Sequence, residues 1–567
     1  MHSRDDLLRR LRAGAPGVEV LIIGGGINGV GVFRDLALQG VPALLVERGD
    51  FASGTSAAPS RLIHGGLRYL ETGEVALVRE SVEERNLLLM NAPHQVHPLP
   101  VLIPALSLAG GALSAGLRFL RLRRDPGPKG VAVLRLGLAL FDRFGEAHRS
   151  MPRHRALPLA EARARLPNLS PRVRAVLEYH DARISSPERL TVELVADAER
   201  DCPRSMAVPY LAVEGQSGGN LCLRDQLSGA AIPVRPRLVV NCAGAWVDPV
   251  DATLGIPETL TGGTKGSHLV LDRPDLAAAL GTAMLYFETH DHRACLAYRL
   301  DGGKVILGTT DLRIDGAADD ARCTEAEIDY LFGVLEDVLP GTRLRREDIV
   351  LGVAGVRPLP RTTGGATGAI SRDHSLRRFD PAPGRPFPVL TLVGGKWTTY
   401  RACAAQITDA VLAEIGAVRR QDTRHTPIGG GTGLPRDSEG RARLCREIAR
   451  ESGLAPEAVA PLLARYGTTA AAIAASAGGR LTPLEGAEGY AVEEILWILG
   501  HERVSRLDDM VLRRTLLAFD GLASAATLHA LARVMAGPCG WDDSRREAEV
   551  ARCRALLADR HAPCRAG

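Results

Sequence analysis

Residues 18–47 read VEVLIIGGGINGVGVFRDLALQGVPALLVE, and no other stretch limits the fold so strongly. A short apolar run ends in glycines. A stretch with helical spacing follows and closes at Gly40, a C-cap residue. A second apolar run then ends on an acid. Strand, turn, helix and strand in that order form the unit of a parallel sheet. Gly24, Gly26 and Gly29 stand in GxGxxG register between strand and helix. The first glycine permits the tight turn, the second lets backbone approach a pyrophosphate, and the third lets helix and strand pack closely. The helix start offers free N–H groups and a positive dipole end to phosphates. Glu47 stands 21 residues after Gly26, at the end of the second strand, placed to accept hydrogen bonds from adenosine ribose hydroxyls. The pattern predicts a dinucleotide site in an α/β fold, and alone it does not separate NAD from FAD.

The chain has 567 residues, too many for one hydrophobic core, so two or three domains are expected. A net charge of +4 is small for this length and gives no support to a nucleic-acid partner. Only four of the 70 basic residues are lysines, which makes a single arginine weak evidence and a lysine more informative. The ten cysteines form no CxxC pair, so no metal site is expected, and they suit a reducing compartment. The charged N-terminus MHSRDDLLRRLRAGAPG carries no apolar secretory core, and a cytoplasmic protein is expected. Serine-hydrolase chemistry is not.

Residues 98–117, PLPVLIPALSLAGGALSAGL, carry no charge and run into RFLRLRR at 118–124. The prolines and the glycine pair argue against a straight spanning helix. Two readings stand: a segment lying in a membrane surface with its arginines on lipid headgroups, or a buried insertion with a solvated basic flank. Further on, NCAGAWVD places Ala243 and Gly244 after an apolar strand, and VGGKWTTYR places two glycines before Lys396 and a helix. A second glycine-bearing helix start, far along the chain from the first, is what one extended cofactor crossing the domain requires. Its dipole suits the negative edge of a reduced flavin. Near residue 426 the texture changes: TPIGGGTGLPRDSEG reads as a linker, and helices follow.

GGGINGVG, TSAAPSRLIHGGLRYLE, KGSHLV, LGTTD, GVRPL and GGKWTTYR occur in this order. Together they resemble the FAD-dependent glycerol-3-phosphate dehydrogenases, of the D-amino-acid-oxidase-like flavoprotein superfamily. HERVSRLDDMVLRRT at 501–515 resembles the same family's C-terminal domain. The 98–130 region has no family match, and 200–235 matches poorly. The resemblance implies a Rossmann-like FAD-binding domain interleaved with a substrate-cap β-sheet domain over 17–427, the cap mainly at about 96–170 and 265–350. An all-α C-terminal domain at 428–567 completes the α/β chain. It further implies FAD, oxidation of sn-glycerol 3-phosphate to dihydroxyacetone phosphate, and electron delivery to a membrane quinone from the inner face of the cell membrane. A homodimer is among the expected assemblies. Rival expectations are an oxidase using oxygen, a relative acting on another hydroxy acid or an amine, and a non-catalytic flavin-binding membrane scaffold.

The substrate's phosphate calls for arginine, whose fork binds oxyanions in pairs of hydrogen bonds. By resemblance Arg68 and Tyr69 line the substrate pocket, Arg357 binds near the reacting carbon, and Arg372 takes the phosphate. Lys396 is assigned to a substrate oxygen or the flavin carbonyl edge. The C2 hydroxyl must lose a proton as hydride leaves, so a base must lie within hydrogen-bond reach. His64 and His268 are the candidates, with His64 favoured because its flanking glycines allow close approach to the flavin. The motifs also imply cofactor contacts at Asn28, Thr55, Ser56, Leu62, Gly66, Gly395, Trp397 and Thr398, with Thr55 and Ser56 supplying hydroxyl and backbone donors. Lys265 is expected to be structural.

Overall fold

The computed structural model describes residues 2–13, 17–70, 73–107, 131–144, 151–291, 293–314, 316–362 and 373–561. The predicted strand–helix–strand unit forms as Gly17–Ile23, Ile27–Leu38 and Ala43–Val46. Its sheet runs Ser375–Phe379, Val389–Val393, Ala231–Asn241, Gly17–Ile23, Ala43–Val46, Met206–Val208. Every neighbour pair is parallel except the edge pair of Ser375–Phe379 with Val389–Val393. A parallel sheet is covered on both faces, which is why its strands are apolar at successive positions. Val20, Ile22, Leu45 and Val240 pack against the helices Ile27–Leu38, Pro187–Asp201 and Tyr400–Ile415. Leu21, Ile23, Leu44 and Val239 face the other way, toward Leu7, Leu8 and Leu11 of the helix Arg4–Ala13. Burial of this kind stabilises by about 1.5–3 kcal/mol per large aliphatic side chain.

The region 200–235 supplies the edge strand and a hairpin, Leu211–Ser217 with Asn220–Asp225. The string GQSGG at 215–219 matches GxSxG, yet it is this hairpin's tip. Ser217 pairs with Asn220, and Gly218 and Gly219 turn at φ +59° and +79°. A nucleophile elbow needs a strand-to-helix turn, which is absent there.

The second sheet has ten strands and is mostly antiparallel. It draws on Leu62–Ile63, Val96–Ala105, Arg155–Leu157, Ala175–Ile184, Thr264–Leu271, four strands between 284 and 313, and Ile349–Arg357, reaching past both expected cap segments. The membrane-surface reading of 98–117 fails for residues 98–105. Val96–Ala105 is a strand paired along its whole length with Ala175–Ile184, and Leu99, Val101, Leu102 and Ile103 are buried. Pro98, Pro100 and Pro104 sit at alternate positions, so their missing N–H groups fall on one edge. The neighbour on that edge pairs only at Val101 and Leu102. Residues 108–130, including RFLRLRR, lie outside the described residues.

Helices dominate from Ser438 to Arg560, with one small β-ribbon, Pro483–Leu484 with Ala487–Ala491. Their core includes Val270, Leu351 and Val353 of the second sheet. The glycines at 429–431 form a tight joint, not a loose linker. Gly429 N–H donates to Asp197 Oδ2 at 2.9 Å, and a Cβ on Gly431 would stand 2.5 Å from the Asn91 carbonyl oxygen.

Candidate functional site

From the strand Gly17–Ile23 the sheet is built outward to both sides, and such a switch point opens a crevice beyond the carboxyl ends of the strands. Gly24 turns there at φ +109°, and a Cβ on it would come within 2.6 Å of the Cys242 carbonyl oxygen. Gly26 caps the helix Ile27–Leu38 without a side chain. The Ile27 N–H donates to Ser56 Oγ at 2.9 Å, which leaves the Ser56 hydroxyl proton to donate outward. Thr55 differs: its hydroxyl donates to the Val356 carbonyl at 2.7 Å, so its proton is committed to the second sheet and is not available to a cofactor. Glu47 accepts from Gly25 N–H at 2.7 Å and Gly49 N–H at 2.8 Å. Burial raises its pKa against those two bonds, and each oxygen keeps a lone pair for a ribose hydroxyl.

The strand Ala231–Asn241 delivers Ala243 and Gly244 to the same end, and Ala243 N–H donates to Asn241 Oδ1 at 3.1 Å. At Gly244 a Cβ would meet nothing within 4 Å among the described residues, which is open space at the switch point. Gly394 and Gly395, at φ +87° and +103°, lead through Lys396 into the helix Tyr400–Ile415, as the sequence predicts. A Cβ on Gly395 would lie 2.7 Å from Asn28 Nδ2, and Asn28 Oδ1 is buried with no partner among the described residues. Trp397 Nε1 donates to the Ser56 carbonyl at 3.2 Å. Glycine turns, an orphaned acceptor and open space along one line fit an extended dinucleotide such as FAD: a pyrophosphate at Gly24–Gly26, a ribose at Glu47, a flavin toward Gly244 and Gly395.

The loop from Thr55 to Gly66 leads from this crevice to the second sheet. His64 N–H donates to Thr398 Oγ1 at 3.3 Å, and its half-buried ring lies 6.3 Å from the Tyr69 ring. Lys396 Nζ sits 3.8 Å from the centroid of Tyr69, a cation–π contact. Gly66 takes φ +74°, and the Tyr69 ring fills the space a Cβ would need. Gly65 N–H donates to Asp181 Oδ1 at 3.0 Å, and its free side is filled by Phe141 and Val82. Both glycines thus have reasons in the protein's own packing. Leu62 is buried within the second sheet's core, beside Leu70 and Val78.

The strand Thr264–Leu271 carries His268, whose ring fills the space beside Gly308. His268 is buried, its Nε2 stands 2.7 Å from Ser60 Oγ, and Nδ1 has no partner among the described residues. Burial, aided by the Arg357 cation, holds its pKa down to about 3, so the ring is neutral. Arg357 ends the neighbouring strand, opposite Thr264, and its guanidinium lies over Gly266. Arg357 Nη1 donates to Asp311 Oδ1 at 3.0 Å and Nη2 to Thr309 Oγ1 at 3.2 Å. Lys265 is structural as expected: Nζ donates to Glu327 Oε2 at 2.7 Å.

The structure thus gathers His64, Tyr69, Lys396 and Thr398 in one group and His268 and Arg357 in another, joined by the 55–66 loop. Arg372 lies outside the described residues. Arg68 stands in the turn Leu67–Leu70, and its side chain is not described. Sequence reasoning passed over three residues. Ser60 and Asp311 sit inside the motifs it quoted and were not singled out. Glu80 left no signal: its carboxyl lies within electrostatic reach of His374 and Lys396, and burial raises its pKa.

The family described as FAD dependent oxidoreductase matches residues 19–409, and the C-terminal domain of alpha-glycerophosphate oxidase matches 421–546. A glycerol-3-phosphate dehydrogenase of Synechocystis sp. is 31% identical over 563 residues, covering 94% of this chain and 95% of that protein. D-erythritol 1-phosphate dehydrogenase of Brucella abortus is 29% identical, over 88% of this chain and 94% of that one. The solved glycerol-3-phosphate dehydrogenase of Bacillus halodurans, complexed with FAD, superposes with a TM-score of 0.74 at 23% identity, covering 98% and 97% of the two chains. That likeness shows the fold, a flavin-binding α/β domain with a cap sheet and a helical C-terminal domain. By sequence, motif and fold, the chain belongs to the FAD-dependent glycerol-3-phosphate dehydrogenase family of flavoprotein oxidoreductases.

Proposed function

We propose that the protein oxidises sn-glycerol 3-phosphate to dihydroxyacetone phosphate on bound FAD and passes the electrons to a membrane quinone. The observation that carries this reading is the meeting of a cofactor crevice with two cationic groups. Lys396 lies over Tyr69, and Arg357 is held by Asp311, both beside the 55–66 loop. When bound, FAD supplies the hydride acceptor. The protein's residues do the rest. Arg357 and Lys396 offer charge to the substrate's oxygens and stabilise negative charge developing at the C2 oxygen. Arg68, Tyr69 and Arg372 are assigned to the glycerol and phosphate end. His268 resists protonation, which suits an uncharged hydrogen-bonding partner. His64, half-exposed and with its backbone N–H held by Thr398, is assigned to accept the C2 hydroxyl proton. Asn28, Ser56, Trp397 and the crevice glycines hold the cofactor.

Anaerobic addition of glycerol 3-phosphate to the FAD-loaded protein tests the reaction. Rapid bleaching of the flavin's visible band is expected, and a flavin left oxidised refutes it. Two comparisons justify further arms. The C-terminal match carries the name of an oxidase, so peroxide yield is measured against quinone reduction. A relative carries the name of an erythritol phosphate dehydrogenase, so that substrate is titrated in parallel.

For the membrane, the support is local. Leu106 and Leu136 are 61% and 67% exposed, and Val131 N–H donates to the Ser107 carbonyl at 3.1 Å, holding the two segments together. Among the described residues no helix is long and apolar enough to cross a membrane, so the attachment proposed is peripheral, at the inner face. Leu136→Glu should lower sedimentation with anionic vesicles. Unchanged binding would place the contact elsewhere.

A further inference from the structure

The loop 47–61 is gripped from outside the flavin domain at both ends. Asp50 stands three residues after Glu47 and is fully buried. Its Oδ2 accepts from Arg513 Nε and Arg514 Nη1 at 2.7 Å each, and its Oδ1 from Arg514 Nη2 at 2.8 Å. Arg513 Nη2 also donates to Asp508 Oδ2 at 2.9 Å and Asp509 Oδ1 at 2.6 Å, which fixes the guanidinium before it reaches Asp50. A second link runs through Tyr210. Its hydroxyl donates to Asp509 Oδ1 at 2.5 Å and its backbone N–H to the Gly49 carbonyl at 2.7 Å. The next N–H, of Leu211, donates to the Glu47 carbonyl at 2.7 Å. At the far end, the buried Arg61 guanidinium lies 3.7 Å from the centre of the Phe519 ring. Between these holds stand Ser56, which takes the N–H of Ile27 at the start of the helix Ile27–Leu38, and Ser60, which meets His268.

Such an arrangement exceeds what docking two domains needs. An apolar seam would join them without burying five ionised groups, which cost desolvation unless geometry is fully satisfied. The carboxylates of Asp50, Asp508 and Asp509 are met in direct hydrogen bonds by Arg513, Arg514 and the part-buried Arg552, and directed bonds set position where apolar contact does not. What they set is the path of the loop carrying Glu47, Ser56 and Ser60. We propose that residues 508–519 of the C-terminal domain are a positioning latch for the cofactor site, making FAD retention depend on how that domain docks. The proposal rests on the reading that loop 47–61 borders FAD.

The test uses the full-length holoenzyme and reads the rate of FAD release by recovery of flavin fluorescence, without substrate. Failure of the latch and failure of the proposed reaction are therefore separate outcomes. Asp50→Asn is the direct variant, but it leaves two buried arginines short of a counter-charge and risks misfolding. Tyr210→Phe and Phe519→Leu are mild and keep the ion cluster. Losing a hydrogen bond to a charged group in Tyr210→Phe should speed release about tenfold, and Phe519→Leu should follow in the same direction. Hydrogen exchange should rise in residues 47–61 in both. Arg465→Gln is the control: it breaks a part-buried ion pair with Glu494 (2.7 Å) inside the C-terminal domain, away from the loop. It should lower the thermal midpoint and leave FAD release unchanged. The proposal is overturned if both mild variants hold FAD as the wild type does, or if Arg465→Gln releases it as fast as they do.

Discussion

Gly24 and Gly395 turn through nearly the same backbone angle, φ +109° and +103°, and alanine at either should be costly for different reasons. A side chain in that region strains the backbone by about 1–3 kcal/mol. At Gly24 the added Cβ would stand 2.6 Å from the Cys242 carbonyl oxygen and 2.8 Å from its carbon, backbone atoms of a residue whose N–H is held by the Ile23 carbonyl at 2.8 Å. Overpacking against fixed atoms adds about 1–3 kcal/mol. At Gly395 the atoms nearest the Cβ all belong to the Asn28 amide, 2.7 Å to Nδ2 and 3.3 Å to Cγ. That amide can swing away. Gly24→Ala should therefore lose about 2–6 kcal/mol of stability, and Gly395→Ala about 1–3 kcal/mol. Cofactor affinity should show the opposite sensitivity relative to stability. Asn28 carries the orphaned acceptor of the crevice, and a displaced Asn28 must return before FAD can seat. Re-imposing about 1–3 kcal/mol of strain on binding weakens FAD roughly tenfold to a hundredfold.

Thermal midpoints of the apoprotein and titration of FAD by quenching of protein fluorescence separate the two effects. Adding Asn28→Ala to Gly395→Ala removes the clash but neither the backbone strain at φ +103° nor the missing acceptor, so neither stability nor affinity should recover. Equal stability losses at the two glycines, or wild-type FAD binding in Gly395→Ala, would refute the reasoning.

Three further expectations follow from the substrate side. Asp311→Asn removes the carboxylate that aims Arg357, so KM for glycerol 3-phosphate should rise about tenfold with flavin content intact; a fall in kcat at constant KM would move Arg357 away from substrate binding. His268 has a folded pKa of about 3, below its ordinary value, so its share of stability is intact at neutral pH and above. As pH falls from about 6.5 toward 3, the unfolded chain gains a proton the fold refuses, and stability drops by about 1.4 kcal/mol per unit. His268→Gln should flatten that part of the thermal-midpoint profile, and an unchanged slope counts against a buried neutral ring. Gly66→Val forces a β-branched residue to φ +74° and drives the Tyr69 ring off Lys396. It should cut substrate-dependent flavin reduction at least about tenfold even where FAD remains bound, and full activity would show that Tyr69 is not needed.

What could be read from the chain divides along a physical line. The crevice was legible because glycine spacing, a helix start and a terminal acid act on their sequence neighbours: Gly24, Gly26, Gly29 and Glu47 lie where the pattern places them. Residues 98–105 were not, because a largely apolar strand inside a sheet and a segment lying in lipid share one composition. Only the partner strand Ala175–Ile184, some seventy residues on, decides between them. The string at 215–219 shows the converse, a motif present in letters but carried by a hairpin tip. The latch lay further out of reach. Asp50 and Arg513 are 463 residues apart, and among 66 arginines no single one advertises a partner. His268, Ser60, Arg357 and Asp311 likewise meet through sheet pairing across separated strands. The cofactor half of the site is therefore derivable from local rules. The substrate half, built by long-range register, was reachable from sequence only through resemblance.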